Sequence, residues 1–191
     1  MNKGLLSDYF EGVSVKKLAP VDAEAGSSNQ HEIGTTAAMR SFLGVDRTGF
    51  DVKYIWLGDE QEAITDEGSA TYYNTREGKP RSPENRLYYP SNAVTKIMSA
   101  GDTLFLAKRP GNSLLFIVAP RESTIQNQLL YLFGMDLQPD LQFEVQKFEE
   151  DGDAKLDFAS RFILDEIGIE YEDPDANTLD AIVDRFGHAF P

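Results

Sequence analysis

Alternation of apolar and polar residues with a period of two constrains this chain more than any other feature of its sequence. In FDVKYIWLG, Phe50, Val52, Tyr54 and Trp56 fall on one side of an extended strand, with Asp51 and Lys53 on the other. Trp56, in such a strand, is expected in the core. TLFLAKRPGNSLLFIVAP reads as a hairpin with Arg109-Pro110-Gly111-Asn112 as its turn. GVSVKKLAPV sets Val13 and Val15 on one face of a short strand that ends at Pro20, and LQFEVQKF reads as one more strand. Through residue 150, helical spacing is confined to TAAMRSFLG and NAVTKIMSAG, each with a glycine stop, and to STIQNQLLYLFG after the hairpin. Strands interrupted by short helices predict a mainly β, α+β fold, a small barrel or sandwich rather than a doubly wound sheet.

The period changes after the acidic run EEDGD. LDFASRFILDEIG and NTLDAIVDRFG are amphipathic helical patterns; Asn177 caps the second, and Gly168 and Gly187 end them. The organisation expected is a β-rich domain over residues 1–150, followed by an acidic helical linker over 151–191 that leads toward a further domain outside these 191 residues. Charge divides at nearly the same place. Net charge is −14, but residues 1–135 hold 14 Lys and Arg against 16 Asp and Glu, whereas residues 136–191 hold 4 against 16. The first part is nearly neutral, so global acidity does not exclude a polyanionic partner for a face on which cations cluster. Cysteine is absent, which removes thiolate chemistry and suits a reducing compartment. The N-terminal MNKGLLSDYFEGVSV has no apolar core of signal-peptide length, and no window approaches the roughly 18 apolar residues of a membrane helix. A cytoplasmic protein without a membrane partner is expected.

Cations concentrate in YYNTREGKPRSPENRLYYP, residues 72–90, where Arg76, Lys79, Arg81 and Arg86 lie among Glu77 and Glu84. Within it, TREGKPRSPENR has neither helical nor strand periodicity, and its glycine and prolines limit backbone freedom, so an extended loop is expected there. A solvated surface loop is the ordinary account of such a segment. The alternative is an arm that enters a nucleic-acid groove: arginine can bind guanine O6 and N7 through two bonds, Lys79 can hold a phosphate, and Glu84 can accept from cytosine N4. A carboxylate among cations fits base reading better than phosphate binding alone. Tyr72 and Tyr73 are equally suited to packing or to flanking the arm.

The segment ATYYNTREGKPRSPENR resembles the recognition arm in the N-terminal effector domain of EcoRII-type (type IIE) restriction endonucleases, where Tyr-Tyr-Asn-Ser-Arg precedes Gly-Lys-x-Arg and Glu-x-Arg. Upstream, VSVKKL and QHEIG resemble a second arm of that family, in the same order, and the resemblance spans about residues 9–135. It implies the DNA-binding pseudobarrel shared with plant transcription-factor domains, two arms gripping the major groove, and a CC(A/T)GG-type site. It also implies an effector role: binding a second copy of the site and regulating a separate catalytic nuclease domain C-terminal to this chain. The DNA-binding residues it implies are Lys16, Lys17 and His31 of the upstream arm and Arg76, Lys79, Arg81, Glu84, Asn85 and Arg86 of the downstream arm. This chain carries one extra residue between Arg81 and Glu84, and Thr36 where the family has tyrosine.

Other chemistry finds weaker support. Pro139-Asp140 and Asp153-Ala154-Lys155 echo the nuclease pattern that holds magnesium, yet Asp153 sits in a glycine-containing acidic run with no apolar strand before it. No catalytic residue, metal or cofactor is therefore expected within the chain, and magnesium is expected in the catalytic domain of the parent protein. DPDANTLDAIVD departs from an EF-hand loop at Thr178 and Asp184, and His31 and His188 are too isolated for a zinc site. The competing class is an acidic DNA mimic or protein-interaction module, for which the total charge speaks and the C-terminal position of the acids does not.

Overall fold

The computed structural model describes residues 4–23, 31–60, 62–136, 144–148 and 156–172. Eight strands form one sheet: β1 (Gly12–Lys17), β2 (Glu32–Gly34), β3 (Thr48–Trp56), β4 (Ile64–Asn74), β5 (Asn85–Tyr88), β6 (Thr103–Arg109), β7 (Ser113–Ala119) and β8 (Glu144–Lys147). Their spatial order is β2-β5-β4-β3-β7-β6-β1-β8. Among the described residues the β3–β7 pairing alone is parallel, and the other ladders are antiparallel. Among the described residues, four short α-helices accompany the sheet: α1 (Pro20–Ala23), α2 (Arg40–Leu43), α3 (Thr124–Phe133) and α4 (Phe158–Glu166). The mainly β, α+β pseudobarrel with a helical segment after it is thus the fold observed.

The hairpin of β6 and β7 forms as its sequence requires. Arg109 ends one strand, Ser113 opens the next, and Gly111 takes the positive φ of 79° that the turn between them needs. Both strands are buried on both faces. Phe105, Ala107, Leu115, Ile117 and Ala119 enter one core with α3 and α4, whereas Leu104, Leu106, Leu114, Phe116 and Val118 enter a second with Phe50, Val52 and Tyr54. Each large side chain removed from water in this way contributes about 1.5–3 kcal/mol. The expected stripe of β3 is confirmed: Phe50, Val52 and Tyr54 are core, with Trp56 packed against them, and Val13 and Val15 share the helix-covered core.

The second core lies inside the curl of the sheet, because it joins elements that the strand order keeps far apart. Leu18, just after β1, packs in the same cluster as Ile33 of β2 and Leu87 of β5. The hydroxyl of Tyr89 donates to the carbonyl of Asp22 in α1 at 3.3 Å, which closes the half-barrel near its open edge. Packing is close there: a Cβ added to Gly12 would lie 2.8 Å from the ring of Phe42 in α2.

Two local expectations are revised. TAAMRSFLG forms turns and then only the short α2, and NAVTKIMSAG forms consecutive turns capped by Asn92 rather than a helix. ITDEGSATYYN, which shows no clear alternation, is the longest strand, β4, aligned residue by residue with β3 from Thr48↔Tyr72 to Trp56↔Ile64. LDFASRFILDEIG does form a helix, α4, and its Ile163 and Leu164 enter the core beside α3. NTLDAIVDRFG, Asp140, Asp153 and His188 lie outside the described residues.

The N-terminus of α3 is tied to the β3–β4 connection. Ser123 caps it by accepting from the Gln126 amide, and the Asp59 carboxylate accepts from the amides of Thr124 at 2.8 Å and Ile125 at 3.0 Å. Those backbone bonds hold the Asp59 carboxyl below its ordinary value. Its folded pKa is depressed, so its stabilisation is complete above pH about 4 and disappears as pH falls through the folded value. Asp59→Ala is expected to lower Tm near neutral pH, and the gap to the parent chain should close in melts recorded progressively below pH about 4.

Candidate nucleic-acid interface

At one edge of the sheet, β2, β5 and β4 divide their side chains between two faces. Ile33, Leu87 and Tyr72 alternate inward and are fully buried. Register sets Arg86 opposite both Gly34 and Tyr73, so Glu32, Tyr73 and Arg86 share the outer face. The two adjacent tyrosines thus separate by strand alternation: Tyr72 packs in the core, and Tyr73 flanks the arm.

The ten residues 75–84 connect β4 to β5 and are braced at the stem. Thr75 donates its amide to the carbonyl of Glu84 at 2.9 Å, and the Asn74 side-chain oxygen accepts from the amides of both Arg76 and Glu84 at 3.0 Å. Within the loop, Lys79 donates to the Arg76 carbonyl and Arg81 to the Lys79 carbonyl, while Gly78 adopts φ 73°. This backbone is ordered by its own hydrogen bonds, as a compact loop rather than an open tether.

Glu84 stands between two arginines. One carboxylate oxygen pairs with Arg76 Nη2 at 2.6 Å; the other accepts from Arg86 Nη2 at 2.7 Å and Nε at 3.3 Å. The Arg86 hydrogen bond, followed by the charge of Arg76, holds the Glu84 carboxyl below the usual carboxylate range. Arg86 reaches further, donating from Nη1 to Glu32 Oε2 at 2.8 Å, and Tyr73 donates its hydroxyl to Glu32 Oε1. The Glu32 hydrogen bond is the main cause that raises the Tyr73 pKa. Arg47 closes the row, its guanidinium 5.4 Å from the centre of the Tyr73 ring.

The nine residues expected at a DNA interface therefore occupy different settings. Arg76, Glu84 and Arg86 are brought together. Lys79 and Arg81 are exposed on the loop, and their side chains have no partner among the described residues. Asn85 points inward and donates to the Tyr72 hydroxyl at 2.6 Å. Lys16 pairs at 2.8 Å with Asp22, which also accepts from the Ala19 amide. Lys17 is exposed at the end of β1. His31 precedes β2, where its carbonyl accepts from the Tyr89 amide and its ring lies 5.9 Å from that of Tyr89. Glu32, Arg47 and Asn74 join the site without having been singled out in sequence, since only strand register and loop closure bring them to it.

Among the described residues no group of His, Cys, Asp and Glu is placed to hold a metal ion, and no helix is long and apolar enough to cross a membrane. A groove elsewhere, along β3, β4 and β7, is lined by Asp51, Lys53, Glu67 and Arg109 and mixes both signs of charge.

Neither the protein-family models nor the curated proteins compared with the chain give a match. Among solved structures, the N-terminal domain of Helicobacter pylori LlaJI.R1 is similar to it, with a TM-score of 0.44 and 10% sequence identity, covering 72% of this chain and 99% of that one.

The stem makes the loop testable separately from any ligand. Asn74→Ala leaves two amide donors without their acceptor and should cost about 1–2 kcal/mol locally. The expected result is faster hydrogen exchange at the amides of Arg76 and Glu84 with the core strands β6 and β7 unaffected, and Asn74→Asp, which keeps the acceptor, should restore protection.

Proposed function

We propose that the chain binds double-stranded DNA sequence-specifically, at a CC(A/T)GG-type site, as the specificity or effector module of a type II restriction endonuclease. Supporting this reading is the carboxylate of Glu84, held rigidly between Arg76 and Arg86 at the base of a loop that presents Lys79 and Arg81 to solvent. A loop that served only to attract phosphates would bind more tightly without that negative charge. A positioned carboxylate has a use where a base edge offers a donor, as cytosine N4 does in the major groove. The Glu84 oxygen paired with Arg76 retains a further lone pair for such a contact.

On this reading Arg81 and Glu84 meet base edges, Arg76 and Arg86 flank the carboxylate, and Lys79 and Lys17 meet phosphates. His31 enters from the upstream arm. The arm motifs shared with EcoRII-type effector domains support the choice of site and the pairing with a nuclease domain C-terminal to this chain. Magnesium and the cleavage chemistry belong to that domain.

The test is a selection from randomised duplexes, followed by salt-matched titration of the parent chain and three variants. Binding should favour the selected site by roughly 1–3 kcal/mol for each altered pair. Arg81→Ala should cost about 1–3 kcal/mol on that site and much less on other DNA. Lys79→Ala should weaken all duplexes alike and lower the salt slope by about one unit. Glu84→Ala decides the matter: loss of discrimination at one base pair is expected, and equal tightening on every duplex would reduce the loop to a basic patch.

A further inference from the structure

Glu32 is a carboxylate on the face assigned above to a polyanion, and its geometry explains why it is tolerated there. Its side chain is only 9% exposed, so it does not present charge to the ligand. Both oxygens are engaged, one by the Tyr73 hydroxyl and the other by Arg86 Nη1. Arg86 in turn grips Glu84 with its remaining edge, through Nε and Nη2. A guanidinium is planar with its donors in a fixed fork, so anchoring Nη1 fixes the plane and therefore the point at which the other edge holds a second carboxylate. Because β2 pairs, among the described residues, with β5 alone and through three residues, Glu32 also transmits the position of the strand after His31 to the downstream loop.

Resting on the DNA-reading proposal, we infer that Glu32 is a specificity-determining positioning residue: acting through Arg86, it fixes the orientation in which Glu84 meets its base, and it withholds Arg86 from the phosphates. Arg86 is then a positioning residue too, its donors directed to two carboxylates rather than to DNA. The ordinary alternative is an ion pair that merely fastens β2 to the sheet edge. Partly exposed pairs of that kind contribute little to stability. The two accounts differ in what happens when the Glu32 charge is removed. A fastening pair leaves discrimination unchanged, whereas the positioning role converts a specific binder into a more indiscriminate one.

The experiment uses the full chain and the site recovered by selection, with that site altered at the pair relaxed by Glu84→Ala. Glu32→Gln is expected to lower the cognate-to-altered affinity ratio about tenfold, a change equivalent to one good base contact. Binding to non-specific duplex should hold or tighten, and the salt slope should rise by about one unit as Arg86 turns to a phosphate. Glu32→Gln combined with Arg86→Lys should discriminate no worse than Arg86→Lys alone, since both break one linkage. An unchanged ratio in Glu32→Gln, weakening by the same factor on every duplex, or independent multiplication of the two effects would overturn the inference. If Glu32→Gln fails to show the parent's cooperative melt, Tyr73→Phe decides instead: it removes one donor to Glu32 and should lower the ratio about threefold, and an unchanged ratio overturns the proposal. Should the parent chain select no sequence, the DNA-reading proposal itself fails. The linkage is then judged by NMR of the Arg86 Nε–H, expected to exchange slowly with solvent in the parent chain and quickly in Glu32→Gln, and overturned by equal exchange in both.

Discussion

Burial of the β6–β7 hairpin on both faces is the constraint from which the rest of this structure follows. A strand with one apolar face can leave the other in water, but Leu104 to Ala107 and Leu114 to Ala119 leave neither face polar. One side must be covered by helices, and α3 and α4 supply that cover with Leu129, Phe133, Ile163 and Leu164. The other side is covered by the sheet itself, which curls so that Phe50, Val52, Tyr72 and Leu87 face Leu104, Leu106 and Phe116 across a common core. The curl brings the end of β1 toward the end of β5 and allows Tyr89 to bond to Asp22. The segments after β1 and around β5, nearly seventy residues apart, thus share one edge of the molecule.

That edge resolves an electrostatic conflict. The chain is strongly acidic, yet its cations at the edge are ordered by acids rather than cancelled at random. Glu84 takes Arg76 and Arg86, Glu32 shares Arg86, and the hydrogen bond from Arg86 with the charge of Arg76 holds the Glu84 carboxyl below the usual carboxylate range. Lys79 and Arg81, which have no such partner among the described residues, project from a loop whose backbone is braced by Asn74 and Thr75. Rigid placement of a few donors and one acceptor is what base recognition requires, and a diffuse cationic surface would lack it.

The two reinforce each other. The hairpin core gives β3 and β4 a firm neighbour, and β4 gives the loop its first stem; β5 is then held between β4 and β2 with Arg86 opposite Tyr73 and Gly34. An arm on the sheet's own strands is positioned more accurately than one on a free connection.

Much of this was legible in the sequence by itself. Alternation in β3, the paired apolar runs of the hairpin and its Pro-Gly turn determined strands that depend on local pattern and burial, and the helical spacing of STIQNQLLYLFG marked α3. The density of charge and proline between Tyr73 and Arg86 marked a loop, and the arm motifs marked which loop to weigh. Strand β4 was not legible: Asp66, Glu67, Gly68 and Ser69 break its alternation, and it is a strand because β3, the element just before it, supplies nine consecutive partners. NAVTKIMSAG carried helical spacing but is held in turns, where Asn92 accepts from the amides of Val94 and Thr95 and so competes with helix bonds. Nor could sequence separate Tyr72 from Tyr73, turn Asn85 inward, or join Glu32 to Arg86 across 54 residues. Composition and local spacing determine which residues are able to form strands, turns and charged arms. Only the tertiary structure decides which side chains share a face, because register is fixed by long-range hydrogen bonding between strands, and a slip of one residue would send every one of them to the opposite side.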